Sequence, residues 1–146
     1  MANCHWVTIA DMTKRKVFSL PVRVYFQDTD AGGVVYHSNY LNFMERARTE
    51  WLRAHGYSNA GLMKEFGMAF VVRSIKLDYL RPALLDDSLE VTASIKEIGR
   101  SRLTLLQTIL RGSDVLTEAE VHLVCVSLDS FKPVSVPEVL REQLVH

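Results

Sequence analysis

The sequence predicts an α+β domain, an antiparallel sheet of about five strands wrapped around one long helix. Three observations carry that prediction. First, Tyr40, Met44, Ala47, Trp51 and Ala54 recur at helical spacing through a charged segment. Second, from Phe70 onward the apolar residues switch to a period of two, in runs separated by short turn-forming clusters. Third, those runs follow one another directly, without the intervening helices that a parallel sheet needs. The 146 residues suffice for a single core and are too few for two comfortable domains.

The elements follow in chain order. Residues 1–16 read as a frayed polar arm, and residues 17–146 as one domain. Val22 to Gln27, β-branched and aromatic, predicts the first strand. The long helix is expected from Asn39 to His55, with Ser38 and Asn39 as N-cap candidates and Gly56 just past its end. Ser58 to Phe66 suits a short second helix. Phe70 to Leu80 alternates and is ended by Arg81-Pro82-Ala83. Leu89 to Lys96 alternates cleanly, which predicts one buried and one solvated face. Gly99-Arg100-Ser101 turns the chain into Leu103 to Leu110, and Arg111 to Asp114 turns it again into Val115 to Leu128. Pro137 suits the first turn of a short terminal helix.

Composition excludes several function classes. Seventeen basic and seventeen acidic residues balance, so no general attraction to nucleic acid is expected. No apolar run is long enough to span a bilayer, and residues 1–16 lack the apolar stretch of a secretory signal. Cys4 and Cys125 stand far apart, suggesting neither a disulfide framework nor a zinc site. The expectation is a cytoplasmic protein with two reduced thiols. A sheet covered by one helix leaves edges unprotected, so self-association is also expected.

Chemistry concentrates between Asp28 and Tyr40, in Asp-Thr-Asp-Ala-Gly-Gly-Val-Val-Tyr-His-Ser-Asn-Tyr. A strand, an acidic glycine-rich turn and a helix start place free N–H groups and a positive dipole end near fixed carboxylates. Such a site suits attack on a carbonyl. An aspartate carboxylate is ionised at neutral pH and serves as nucleophile or general base. On spacing alone, however, Asp30 reads as a turn aspartate bonded to its own backbone. A phosphatase of the haloacid dehalogenase type is disfavoured, because Ala31-Gly32 follows Asp30 and no βαβ pattern follows the turn. A calcium loop counted from Asp28 reaches Asn39 where a bidentate glutamate is required.

Arg23-Val24, Thr29-Asp30, Gly33-Val34-Val35, Tyr36-His37 and Tyr40, at their spacing, resemble the signature of the 4-hydroxybenzoyl-CoA thioesterase family. Pro21 to Asp28, Ala47 to Glu50, Ala69 to Arg73, Arg81-Pro82-Ala83 and Glu118 to Val121 resemble its Tol-Pal-associated acyl-CoA thioesterase branch. The resemblance spans about Pro21 to Val126. It implies a hotdog fold and a homo-oligomer, dimer or tetramer, with acyl-CoA sites at the dimer interface. It also implies thioester hydrolysis with no metal and no organic cofactor. Asp30 becomes nucleophile or general base, and the His37 backbone N–H polarises the thioester oxygen, its imidazole taking a secondary role. Gly33, Val34 and Tyr36 are then expected to line the substrate. Asp28 reads as structural. Tyr40, Met44, Ala47 and Trp51 read as core, Glu45 and Glu50 as a solvated helix face, and Cys125 as a small buried residue. Arg73, Arg81, Arg100 and Arg102 carry the charge that coenzyme A phosphates attract, with none assigned as a contact. The alternative is a weakly catalytic or non-catalytic scaffold that binds acyl carrier protein or cell-envelope partners.

Overall fold

Periodicity and turn chemistry build a six-stranded antiparallel sheet with one long helix against it. The computed structural model describes residues 5–9 and 15–145. The strands are β1 (His5–Ile9), β2 (Arg15–Arg23), β3 (Met68–Tyr79), β4 (Ser88–Ile98), β5 (Arg102–Arg111) and β6 (Asp114–Ser127). They lie in the order β1-β2-β4-β5-β6-β3, every pair antiparallel. The helices are α1 (Asn39–Ala54), α2 (Asn59–Phe66) and α3 (Glu138–Val145). Among the described residues no helix is long and apolar enough to cross a membrane.

Two expectations near the N-terminus are corrected. The segment read as a frayed arm contributes β1, which pairs with β2 from His5↔Ser19 to Ile9↔Arg15 at the edge of the antiparallel sheet of about five strands expected. Residues 1–4 and 10–14 of that segment lie outside the described residues. The first strand of the domain also runs earlier than Val22 to Gln27. β2 stops at Arg23, and Phe26–Asp28 form a 3-10 turn. The cause is local: the Asp28 carboxylate accepts from the Tyr25 N–H at 2.8 Å, offering the backbone an alternative to a sheet ladder.

α1 packs its apolar stripe onto β2 and β4. Tyr40, Phe43, Met44, Ala47, Trp51 and Leu52 are buried, while Ala54, expected on that stripe, is exposed. Each large side chain so buried contributes about 1.5–3 kcal/mol. The sheet answers with Leu89, Val91, Leu103, Leu105, Val121 and Cys125, all fully buried. Gly56, at φ +90°, ends the helix region as glycine is suited to do.

The prediction of one solvated face for β4 is corrected at its centre, where Val91, Thr92, Ala93 and Ser94 are all buried. β4 lies between β2 and β5, and the Thr92 hydroxyl accepts from the Thr108 N–H of β5 at 2.9 Å. β3 behaves oppositely. It is an edge strand of 12 residues, largely exposed along its length, with Val71, Val72 and Tyr79 open to solvent.

Candidate active site

The turn between β2 and α1 is a tight hairpin. The Asp30 N–H donates to Val34 O at 2.9 Å, and the Gly33 N–H donates to Asp30 O at 3.1 Å. Gly33 sits at φ +79°, a left-handed conformation that side chains resist, so the hairpin closes there at little cost. Asp30 is exposed at the tip. Its Oδ1 accepts from the Gly32 N–H at 2.8 Å, which is the turn bond that spacing alone suggests. Its Oδ2 has no partner among the described residues. A Cβ at Gly32 would stand 3.3 Å from Asp30 Oδ1, so glycine keeps the carboxylate close to the backbone.

Asp28 differs from Asp30 in its burial and in having both carboxylate oxygens engaged. It is buried, with Oδ2 accepting from the Tyr25 N–H and Oδ1 from Asn39 Nδ2, each at 2.8 Å. Its carbonyl accepts from the Tyr36 N–H at 3.0 Å. Asp28 thus ties the 3-10 turn to the first residue of α1. Ser38 occupies the N-cap position without a side-chain cap bond, and Asn39 gives its amide to Asp28 instead of capping.

The helix start leaves donors free. The Asn39 N–H donates to Tyr36 O at 2.8 Å, while the His37 N–H makes no hydrogen bond among the described residues. His37 O accepts from the Tyr79 hydroxyl at 2.6 Å, a contact that links residues 42 positions apart. Removal from water, and then neighbouring Tyr40, raise the Tyr79 pKa, so its phenol keeps its proton and stays a donor. The His37 imidazole lies 4.5 Å from the half-exposed Tyr36 ring, centroid to centroid. Val34 is half-buried and bridges to Leu84. The hairpin therefore brings Asp30, Gly33, Val34, Tyr36 and His37 into one loop. One end offers an unengaged carboxylate oxygen, the other an unengaged N–H at a positive helix end. That pairing suits addition to a carbonyl whose oxygen becomes anionic.

A groove of about 460 Å³ runs between α1 and β3, lined by Glu45, Arg48, Thr49, Trp51, Phe70 and Val72 among others. Glu45, expected on a solvated face, is exposed but also lines this groove. Glu50 pairs with Arg53 one turn on, as that reading anticipates. Arg48 donates to Gln107 Oε1 at 3.0 Å, and burial lowers its pKa, with Glu45 acting in the opposite sense. Of the four arginines noted in the sequence, Arg81 pairs with Asp114 at 3.2 Å and Arg100 donates to Ser135 Oγ at 2.7 Å. Arg73 and Arg102 instead line a separate hollow of about 510 Å³ with Glu97, Thr104 and His122.

Cys125 is fully buried beside Met68, and burial pushes its thiol up to about 11. In the native protein it is expected to resist iodoacetamide at about pH 8, because the thiolate is the reactive form. Site-resolved mass spectrometry checks this, with rapid native labelling as the contrary result. Among the described residues, no three or more His, Cys, Asp or Glu side chains cluster as a metal site would require.

Tyr79 and the Asn39 amide escaped the sequence reading. Alternation marks Tyr79 as a strand residue and nothing more, since its partner comes from a distant turn.

Comparison with known proteins identifies the family and the fold. Residues 24–144 match the family described as the Thioesterase-like superfamily. The chain is 43% identical over 129 residues to the acyl-CoA thioesterase YbgC of Haemophilus influenzae, covering 88% of this chain and 95% of that protein. It is 48% identical over 123 residues to the acyl-CoA thioester hydrolase YbgC of Escherichia coli O6:H1, covering 84% and 91% respectively. A solved structure of a probable thioesterase from Bartonella henselae superposes with a TM-score of 0.78 at 37% identity, covering 82% of this chain and 98% of that one.

Proposed function

The chain belongs to the thioesterase-like superfamily and has its hotdog fold, and from that premise we propose that it hydrolyses acyl-CoA to a carboxylic acid and coenzyme A. The observation that carries the proposal is the pairing within one hairpin of the open Asp30 Oδ2 with the free His37 N–H. The high identity to relatives named for acyl-CoA thioester hydrolysis supports the choice of substrate.

In this reading Asp30 either attacks the thioester carbonyl or takes a proton from the attacking water. The carbonyl oxygen gains charge and meets the His37 N–H at the helix start. Collapse of the tetrahedral adduct breaks the C–S bond, and where Asp30 is the nucleophile water then cleaves the acyl–Asp30 anhydride, freeing the acid and the carboxylate. Water supplies one oxygen to the acid and one proton to the departing thiol. Gly33, Val34 and Tyr36 border the reacting group, and the α1–β3 groove takes the acyl chain.

The active form in this reading is a homodimer, or a tetramer built from it. β3 is a long edge strand carrying exposed Val71 and Val72. Pairing with a second copy there would protect an edge that invites association and would roof the groove.

Because the proposed chemistry needs only a carboxylate and a backbone donor, thiol release from acyl-CoA is expected to be unchanged by EDTA. Loss of activity in EDTA with recovery on adding Mg²⁺ would contradict the proposal and favour a phosphatase-like site.

A further inference from the structure

The Tyr36–His37 peptide carries both Tyr36 O and the His37 N–H, which point in opposite directions across a trans amide. Whatever fixes Tyr36 O therefore aims the N–H. The Asn39 N–H holds Tyr36 O at 2.8 Å, and Asn39 is itself held by the Asp28 carboxylate at 2.8 Å. The next peptide, His37–Ser38, is held by the Tyr79 hydroxyl, which donates to His37 O at 2.6 Å. Tyr79 is the last residue of β3, paired with Thr117 of β6, and the following Leu80 N–H donates to Leu116 O at 2.8 Å. Its ring stands edge-on to Tyr40 in the first turn of α1, at 5.3 Å. The Tyr40 hydroxyl accepts from the Ala83 N–H, and Ala83 O accepts from the Val35 N–H, each at 2.9 Å. Both peptides flanking His37 are thus anchored through their carbonyls, while the His37 N–H, like that of Ser38, makes no hydrogen bond among the described residues.

We propose that Tyr79, from the sheet, and Asp28, through Asn39, are positioning residues that hold the His37 N–H in line for the developing oxyanion. This rests on the reading of that N–H as the oxyanion donor. The donor belongs to the main chain, so no side-chain substitution at His37 deletes it. Only the groups that aim it are open to mutation. Misplacement of a reacting group by about 1 Å costs up to about a hundredfold in rate, so the anchors should appear in kcat.

The test compares wild-type, Tyr79→Phe, Asp28→Ala and Asp28→Asn in steady-state thiol release from an acyl-CoA, with Asp30→Asn alongside. Tyr79→Phe removes one oxygen from a half-exposed ring and should leave the folded state intact. Its kcat is expected to fall about ten- to a hundredfold with KM changed by less than about twofold and an unaltered urea midpoint. Asp28→Ala should show the same split with a larger loss. Asp28→Asn should recover most of it, because Asn39 and exposed Asn42 can turn their amides over and restore the hydrogen bonds. An unchanged kcat in Tyr79→Phe, or a loss confined to KM, would overturn the inference while Asp30-dependent turnover kept the proposed function standing. Turnover indifferent to Asp30 would overturn that function and this inference with it.

Discussion

Asp30→Asn is expected to lower kcat/KM for acyl-CoA hydrolysis by at least about a thousandfold, the scale set by removing a nucleophile or general base. The substitution is nearly isosteric. An asparagine Oδ1 can still accept from the Gly32 N–H, so the hairpin and its Gly33 turn should persist. What disappears is the charge and basicity of Oδ2, the oxygen with no partner among the described residues. Circular dichroism and gel filtration should match wild-type while thiol release collapses. Asp28→Asn should cost far less, since Asp28 is buried and its oxygens are committed to Tyr25 and Asn39. An essential Asp28 beside a dispensable Asp30 would reverse the two roles.

Gln107→Leu is expected to destabilise the fold by about 1–3 kcal/mol, from the loss of three hydrogen bonds centred on a buried amide. Gln107 is 1% exposed and spends its whole amide. Nε2 donates to Met44 O at 3.0 Å and to Thr92 O at 3.2 Å, joining α1 to β4. Oε1 accepts from Arg48 at 3.0 Å, the only hydrogen bond of that guanidinium among the described residues. Leucine fills the volume but leaves the half-buried Arg48 guanidinium without its hydrogen bond and Gln107's two backbone carbonyl partners without that donor. The urea midpoint should drop with an unchanged m-value. Arg48→Met combined with Gln107→Leu should cost less than the sum of the two, because removing both partners strands neither. A loss below about 0.5 kcal/mol in Gln107→Leu would show that Arg48 finds another partner.

How far the sequence could be read divides along local and non-local lines. α1, α2 and β3 to β6 were legible because their periodicities are strong and Gly56, Pro82 and Pro137 punctuate them. The first strand was misplaced because Tyr25 and Phe26 look like sheet residues. The Asp28 carboxylate, a three-residue interaction, captures that backbone in a 3-10 turn instead. β1 was missed although Trp6-Val7-Thr8-Ile9 is a β-forming run, because it is only five residues long and lies in a segment read whole as a polar arm. At the site, the Asp-x-Asp-x-Gly-Gly turn and the helix start announced themselves. Tyr79 and Gln107 did not. Tyr79's partner lies 42 positions away and those of Gln107 15 to 63 away, and nothing within their own strands distinguishes them from ordinary sheet residues.

The central claim is tested most directly by thiol release from acyl-CoAs of graded chain length, wild-type beside Asp30→Asn at equal concentration. The account predicts catalytic turnover on at least part of the series by wild-type and almost none by the variant, with both proteins folded and of equal assembly size. Folded wild-type that releases no thiol at any chain length, or a variant as active as wild-type, would contradict it.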